Sequence, residues 1–168
     1  LTPNMALKHR NTFGFDATAE LAYEITAPDQ IPGVITEIAK QELVWRVLGG
    51  GSNVILPSIL PGATLLMNII GQEIIATDAE ASFLAVGGGV NWHELVAWTL
   101  ENDLPGLENL ALIPGTVGAA PFKTLALMVL RSRITLIASK PLTLKTKPLS
   151  PSQKTHATLP IAIATSSK

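Results

Sequence analysis

The sequence predicts an α+β chain, and three observations predict it. Apolar runs of strand length recur between residues 21 and 86 and end in glycine-rich turns. Two longer stretches, residues 28–41 and 91–103, place their apolar side chains on one helical face. Residues 104–121, L-P-G-L-E-N-L-A-L-I-P-G-T-V-G-A-A-P, are apolar and nearly uncharged, yet Pro105, Pro114 and Pro121 exclude one regular helix or strand. So many leucines cannot face water, so this stretch is a buried, backbone-rich turn in which Gly115 and Gly118 permit close approach of main chain.

In chain order, residues 1–19 read as an extended arm and residues 21–26 as a short strand. In residues 28–41, Ile31, Val34, Ile35 and Ile38 share one helical face. Asp29 stands in the first turn and Lys40 in the last, as the helix dipole favours. Gly33 weakens this helix by about 1 kcal/mol relative to alanine, so the start at Gly33 or an irregularity there is expected. Residues 43–48 form a strand running into Gly49, Gly50, Gly51, Ser52 and Asn53, and Val54 to Leu56 continue as strand. Successive glycines after a strand let backbone N–H groups curl around an anion, and Ser52 and Asn53 add donors. The pattern is neither G-x-x-x-x-G-K-[ST] nor G-x-G-x-x-G opening a helix. A plain glycine hairpin without a ligand is the alternative.

Residues 64–70, 73–77 and 82–86 read as sequential antiparallel strands. After Gly87, Gly88 and Gly89, Asn91 caps a helix, with Glu94 completing a capping-box pattern. Trp92, Leu95, Val96, Thr99 and Leu100 share its core face. His93 lies just off that face, and no second histidine or carboxylate cluster stands at ligand spacing, so neither a metal nor a catalytic role is assigned to it.

Composition narrows the functions. Apolar residues make up 47% and charged residues 15%, which excludes disorder. The net charge of −1 points to neither nucleic acid nor an anionic membrane surface as partner. No apolar run reaches the roughly 18 residues of a membrane span. The first ten residues hold no signal-peptide core, there is no cysteine, and Met5 is a second candidate start; a cytoplasmic location is expected.

Four motifs occur in order: R-N-T-F-G (10–14), G-G-G-S-N-V (49–54), G-G-G-V-N-W-H-E-L-V (87–96) and P-G-L-E-N-L-A-L-I-P-G-T-V-G-A-A-P (105–121). Together they resemble the FAD-binding N-terminal part of the UDP-N-acetylenolpyruvoylglucosamine reductase family, over residues 7–121. The resemblance implies a truncated, PCMH-like FAD-binding domain of small mixed sheets with flanking helices. It implies an N-terminal arm at 1–19, the FAD-binding domain at 20–121, and FAD as cofactor. Gly49, Gly50, Gly51, Ser52, Asn53 and Val54 would cradle the pyrophosphate. Ile113, Pro114, Gly115, Thr116 and Gly118 would lie against the flavin, with a buried structural Ω-like loop as the alternative. Asn11 and Thr12 would offer polar side chains near the cofactor, with a simple capped turn around Gly14 as the alternative.

The family takes a hydride from NADPH and reduces an enolpyruvyl UDP-sugar in peptidoglycan precursor synthesis. Its proton-donating serine and its charge-stabilising arginine and glutamate cannot be placed in this sequence, so no catalytic residue is assigned. A non-catalytic flavin-binding fragment, or another FAD oxidoreductase of the same architecture, is the alternative.

Residues 122–168 break the pattern. All 13 acidic residues lie at or before Glu108 and all 13 glycines at or before Gly118. Residues 1–120 carry four basic groups, whereas residues 121–168 carry eight and no acidic group. Reading the tail with each codon taking the last base of one observed codon and the first two of the next restores family-like sequence. Phe122-Lys123 then gives glutamine or a stop, Met128-Val129 gives glycine, and the intervening codons permit the peptide Q-N-I-G-A-Y-G-V-E. Within residues 158–166 the same shift permits F-A-Y-R-D-S, which resembles the family's arginine motif. An out-of-frame tail without native fold is expected. The alternative, a basic nucleic-acid or membrane tail, lacks aromatic interleaving and a basic helical face.

Overall fold

The computed structural model describes residues 1–78, 81–122, 134–138 and 161–166. They fall into two compact units, which divide between Asn68 and Ile69.

The first unit is a four-stranded mixed sheet in the order β1-β2-β4-β3. Strand β1 (Thr2–Ala6) pairs antiparallel with β2 (Thr18–Ile25). Strand β4 (Ile59–Met67) runs parallel to β2 on one side and to β3 (Trp45–Leu48) on the other. Residues Gly62 to Met67 are buried on both faces of β4, which is what a central parallel strand requires. The expected arm is therefore partly sheet: β1 pairs with β2, and a 3₁₀ turn covers Lys8–Arg10.

Helix α1 (Gln30–Lys40) follows β2 and buries Ile31, Ile35 and Ile38, as their spacing predicts. The start or irregularity expected at Gly33 is not found: the helix begins at Gln30 and runs unbroken through Gly33, which is exposed with open space around the position of a Cβ. Asp29 occupies the N-cap position without a side-chain cap bond; Gln30 Oε1 instead accepts from the Thr26 N–H at 2.9 Å.

Two further expectations are corrected in this unit. Val54 to Leu56 are not strand, because the chain after the glycine turn runs on as irregular connection until Ile59. Residues 64–70 are not the first of three sequential antiparallel strands: 68–70 are not strand, and the partners of 64–67 lie elsewhere. Residues 64–67 belong to β4, whose apolar side chains find neighbours in the parallel strands β2 and β3.

The second unit contains an antiparallel sheet in the order β5-β6-β8-β7. Strand β5 (Gln72–Thr77) is an edge strand with every residue exposed, and it pairs with β6 (Ala81–Val86) as expected. Of the tail, residues 134–138 form β7 and residues 161–166 form β8. The remainder, including the shifted-frame positions from Lys123 to Arg133, lies outside the described residues.

Helix α2 (Trp92–Glu101) packs with the loop that follows it. Trp92, Leu95 and Val96 join Leu104, Leu107, Leu110 and Val117 in one buried cluster. Leu100 departs from expectation: it is half exposed, since the inward face is completed by Thr99, whose hydroxyl donates to the Val96 carbonyl at 2.8 Å.

Candidate cofactor site

The candidate residues stand on two loops, one in each unit, and each is described with its own surroundings. In the first unit the parallel strands set the place. Ile25 pairs with Met67 and Leu48 with Leu66, so β2, β3 and β4 end along one edge of the sheet. The turn Gly49 to Asn53 leaves β3 at that edge, where open parallel sheets bind ligands. Gly49 and Gly50 are exposed, and no described hydrogen bond uses the N–H of Gly50 or Gly51. Gly51 is buried at φ +62°. A Cβ there would stand 2.1 Å from the Arg10 carbonyl oxygen and 2.8 Å from Asn11 Cα. The inner wall of the turn is therefore the arm, and the Thr12 N–H donates to the Gly51 carbonyl at 3.1 Å.

An ion pair lies at this edge. Arg10 donates to Glu24 Oε1 at 3.2 Å and to Asn68 Oδ1 at 3.5 Å, and Asn68 also donates to Glu24. Those groups sit at or just beyond the ends of β2 and β4, so the arm is fastened along the strand ends. Arg46, on β3, donates to Thr64 Oγ1 at 3.3 Å, and burial lowers its pKa from the ordinary arginine value.

Asn11 differs from the expected role. It is 8% exposed, and its amide is engaged by its own chain. Nδ2 donates to the Leu7 carbonyl at 2.8 Å and to the Phe15 carbonyl at 3.1 Å, while Oδ1 accepts from the Phe15 N–H at 2.8 Å. With both amide protons spent, the side chain cannot donate to a cofactor. Thr12 is exposed.

In the second unit, Gly115 to Gly118 pack against the glycine triplet and the start of α2. Asn91 and Thr116 form an antiparallel bridge. The Trp92 N–H donates to Gly115 O at 3.0 Å, Val117 N–H to Val90 O at 2.9 Å, and Gly118 N–H to Gly88 O at 2.9 Å. A Cβ on Gly118 would stand 2.9 Å from that Gly88 oxygen, so the close approach it permits is to Gly88. Asn91 caps α2, its Oδ1 accepting from the His93 and Glu94 N–H groups at 2.9 and 3.3 Å. Trp92 Nε1 donates to the Leu110 carbonyl at 2.9 Å. His93 touches the loop through Nδ1, which accepts from the Leu112 N–H at 3.4 Å. Leu112 is 79% exposed at φ +62°, and the Ile113 side chain packs partly against the buried cluster.

Sequence reasoning thus underrated Gly87 to Gly89. They end β6 as expected, but Gly88 also holds the second loop through its bond from the Gly118 N–H, while Gly87 lies against the chain before β5, where a Cβ would stand 2.4 Å from the Ile69 carbonyl oxygen. Three glycines together were the available signal. For Asn11 the structure favours the alternative read from R-N-T-F-G, a side-chain-stabilised turn around Gly14.

The donor set suits a diphosphate-bearing cofactor. A turn with exposed Gly49 and Gly50 and an exposed Asn53 offers donors to an anion, although the Arg10 charge is paired with Glu24, and the described residues hold no cluster fit for a metal. Residues 19–126 match the protein family described as FAD binding domain. The chain belongs to that family.

Its similarity to individual proteins is narrower. Over 125 residues, 74% of this chain, it is 70% identical to the UDP-N-acetylenolpyruvoylglucosamine reductase of Polynucleobacter asymbioticus. It is 46% identical over the same length to the enzymes of that name from Burkholderia ambifaria and Burkholderia mallei. The chain spans 36% of the length of each of these relatives. A crystal structure of the reductase from Thermus caldophilus is 29% identical, with a TM-score of 0.49 over 69% of this chain and 39% of that one.

Proposed function

We propose that the chain is the FAD-binding part of a UDP-N-acetylenolpyruvoylglucosamine reductase, acting in peptidoglycan precursor synthesis on an enolpyruvyl UDP-sugar with NADPH as hydride donor. The observation that carries the reading is 70% identity over 125 residues to a protein of that name. Bound FAD would supply hydride-transfer chemistry.

The chain's own residues would bind and orient. Gly49, Gly50, Gly51, Ser52, Asn53 and Val54 form the turn proposed for the pyrophosphate, with backbone N–H groups as donors. Ile113, Pro114, Gly115, Thr116 and Gly118 form the loop proposed for the flavin, braced by bonds to Gly88, Val90 and Trp92. No described helix is long and apolar enough to cross a membrane, and a cytoplasmic setting is proposed from the NADPH and UDP-sugar chemistry.

We read residues 122–168 as an out-of-frame translation, supported by the abrupt loss of glycine and carboxylates and by the family-like peptides that one shift restores. The test is to sequence the coding DNA from the Ala120 codon onward, restore one reading frame, and assay the product. The reading expects a missing base near the Phe122 codon and FAD-dependent oxidation of NADPH by the enolpyruvyl UDP-sugar. An intact frame removes the frameshift. A restored product that binds FAD but ignores the UDP-sugar favours another FAD oxidoreductase of this architecture.

A further inference from the structure

Asn11 is buried, fully engaged and next to the proposed pyrophosphate turn without being able to donate to what binds there. Its amide ties Leu7, before the 3₁₀ turn, to Phe15, after the glycine at 14, and so sets the curvature of the arm between them. That curved segment is what Gly51 lies on: the Arg10 carbonyl and Asn11 Cα occupy the space of its missing side chain. The Thr12 N–H to Gly51 O bond joins the two segments directly. At the other end, Leu7 is fully buried and its N–H donates to the Ala17 carbonyl at 2.8 Å, so the arm cannot shift without disturbing β2. The Thr12 bond holds the peptide plane between Gly51 and Ser52, and the Arg10 and Asn11 backbone packed against Gly51 Cα limits where the plane before it, which carries the Gly51 N–H, can lie.

We propose that Asn11 is a positioning residue, shaping residues 10–12 into the template that aims the Gly50 and Gly51 N–H groups at a bound diphosphate. The inference rests on the FAD reading and adds a residue to it that acts through the arm rather than by contact.

The test uses the whole chain, two variants and FAD as the probe, followed by flavin fluorescence, with far-UV circular dichroism confirming folding. Asn11→Ala removes all three bonds. Asn11→Asp keeps the acceptor for the Phe15 N–H but sets a carboxylate oxygen against the Leu7 and Phe15 carbonyls. Both should weaken FAD binding roughly ten-fold, the loss of about one charge-assisted hydrogen bond. Burial against two carbonyl oxygens raises the aspartate's pKa above the ordinary value of about 3.9. Protonating it restores one donor, so the affinity of Asn11→Asp should recover toward wild type as pH falls from about 8 to about 4. Lys8, His9, Arg10, Asp16 and Glu24 are common to all three proteins, and the wild-type profile is the baseline for them. A purely structural role would not give this acid rescue.

Folded variants that bind FAD like wild type, or an Asn11→Asp affinity that is weak and flat with pH, overturn the proposal. If the wild-type chain itself fails to bind FAD, it is the cofactor reading that fails, and positioning is judged by amide exchange at Thr12 in the free chain. Faster exchange in Asn11→Ala, relative to amides of β2 and β4, supports the template; unchanged exchange overturns it.

Discussion

Replacing Gly51 by alanine is the sharpest perturbation of the arm against the glycine turn. Two terms add. The first is conformational: at φ +62° an L-residue pays about 1–2 kcal/mol that glycine does not. The second is steric. The new Cβ would lie 2.1 Å from the Arg10 carbonyl oxygen, far inside contact distance, and both partners are backbone, so no rotamer change relieves it. Moving the arm away stretches the Thr12 to Gly51 bond and disturbs the Asn11 bonds, each worth about 1 kcal/mol. The sum is a destabilisation of about 3–4 kcal/mol, at the upper end for single substitutions.

Gly14 supplies the internal control. It has φ +68°, almost the same, but nothing within 4 Å of a Cβ, so Gly14→Ala should cost only the conformational term, about 1–2 kcal/mol. Gly33→Ala, inside α1 with open space, should stabilise by up to about 1 kcal/mol. Urea unfolding followed by tryptophan fluorescence measures all three. Equal losses for Gly51→Ala and Gly14→Ala would refute the steric argument, because conformation alone would then explain both.

Other expectations follow from individual bonds. Asn91→Ala removes the cap of α2 and should cost about 1 kcal/mol, measured by the same unfolding. Trp92→Phe leaves the Leu110 carbonyl without its indole donor and opens a small void, for a loss of about 2–3 kcal/mol; an effect below about 0.5 kcal/mol would mean the loop repacks freely. Burial, then the hydrogen bond to Glu37 at 3.2 Å and its charge, raise the pKa of Tyr23 above its ordinary value. The folded protein therefore holds that proton longer than the unfolded chain. Tyr23's contribution is whole below the unfolded tyrosine pKa of about 10 and declines as pH rises through the folded value. Tyr23→Phe should flatten this alkaline decline, and an unchanged slope in urea midpoints against pH would contradict the assignment.

What was legible in the sequence follows from how local each signal is. The face of Ile31, Ile35 and Ile38 and the Asn91 cap were legible because helix period and capping are properties of a few neighbouring residues. The pairing of β4 with β2 and β3 was not, because residues 64–67 carry the same apolar run whether their partner is the next strand or an earlier one. Val54 to Leu56 have strand-forming side chains, but β propensity yields to the path the chain must take out of the glycine turn. Sequence leaves Asn11 open between a cofactor-facing amide and a turn around Gly14, because polarity is visible in sequence whereas the carbonyls of Leu7 and Phe15 that consume it are visible only in three dimensions.

The central claim is that this chain holds FAD. The most direct measurement is equilibrium titration of the purified, folded chain with FAD, beside Gly51→Ala as the variant with a displaced turn. The account predicts saturable one-to-one binding by wild type and weaker binding by the variant. Failure of a demonstrably folded wild-type chain to bind FAD would contradict it.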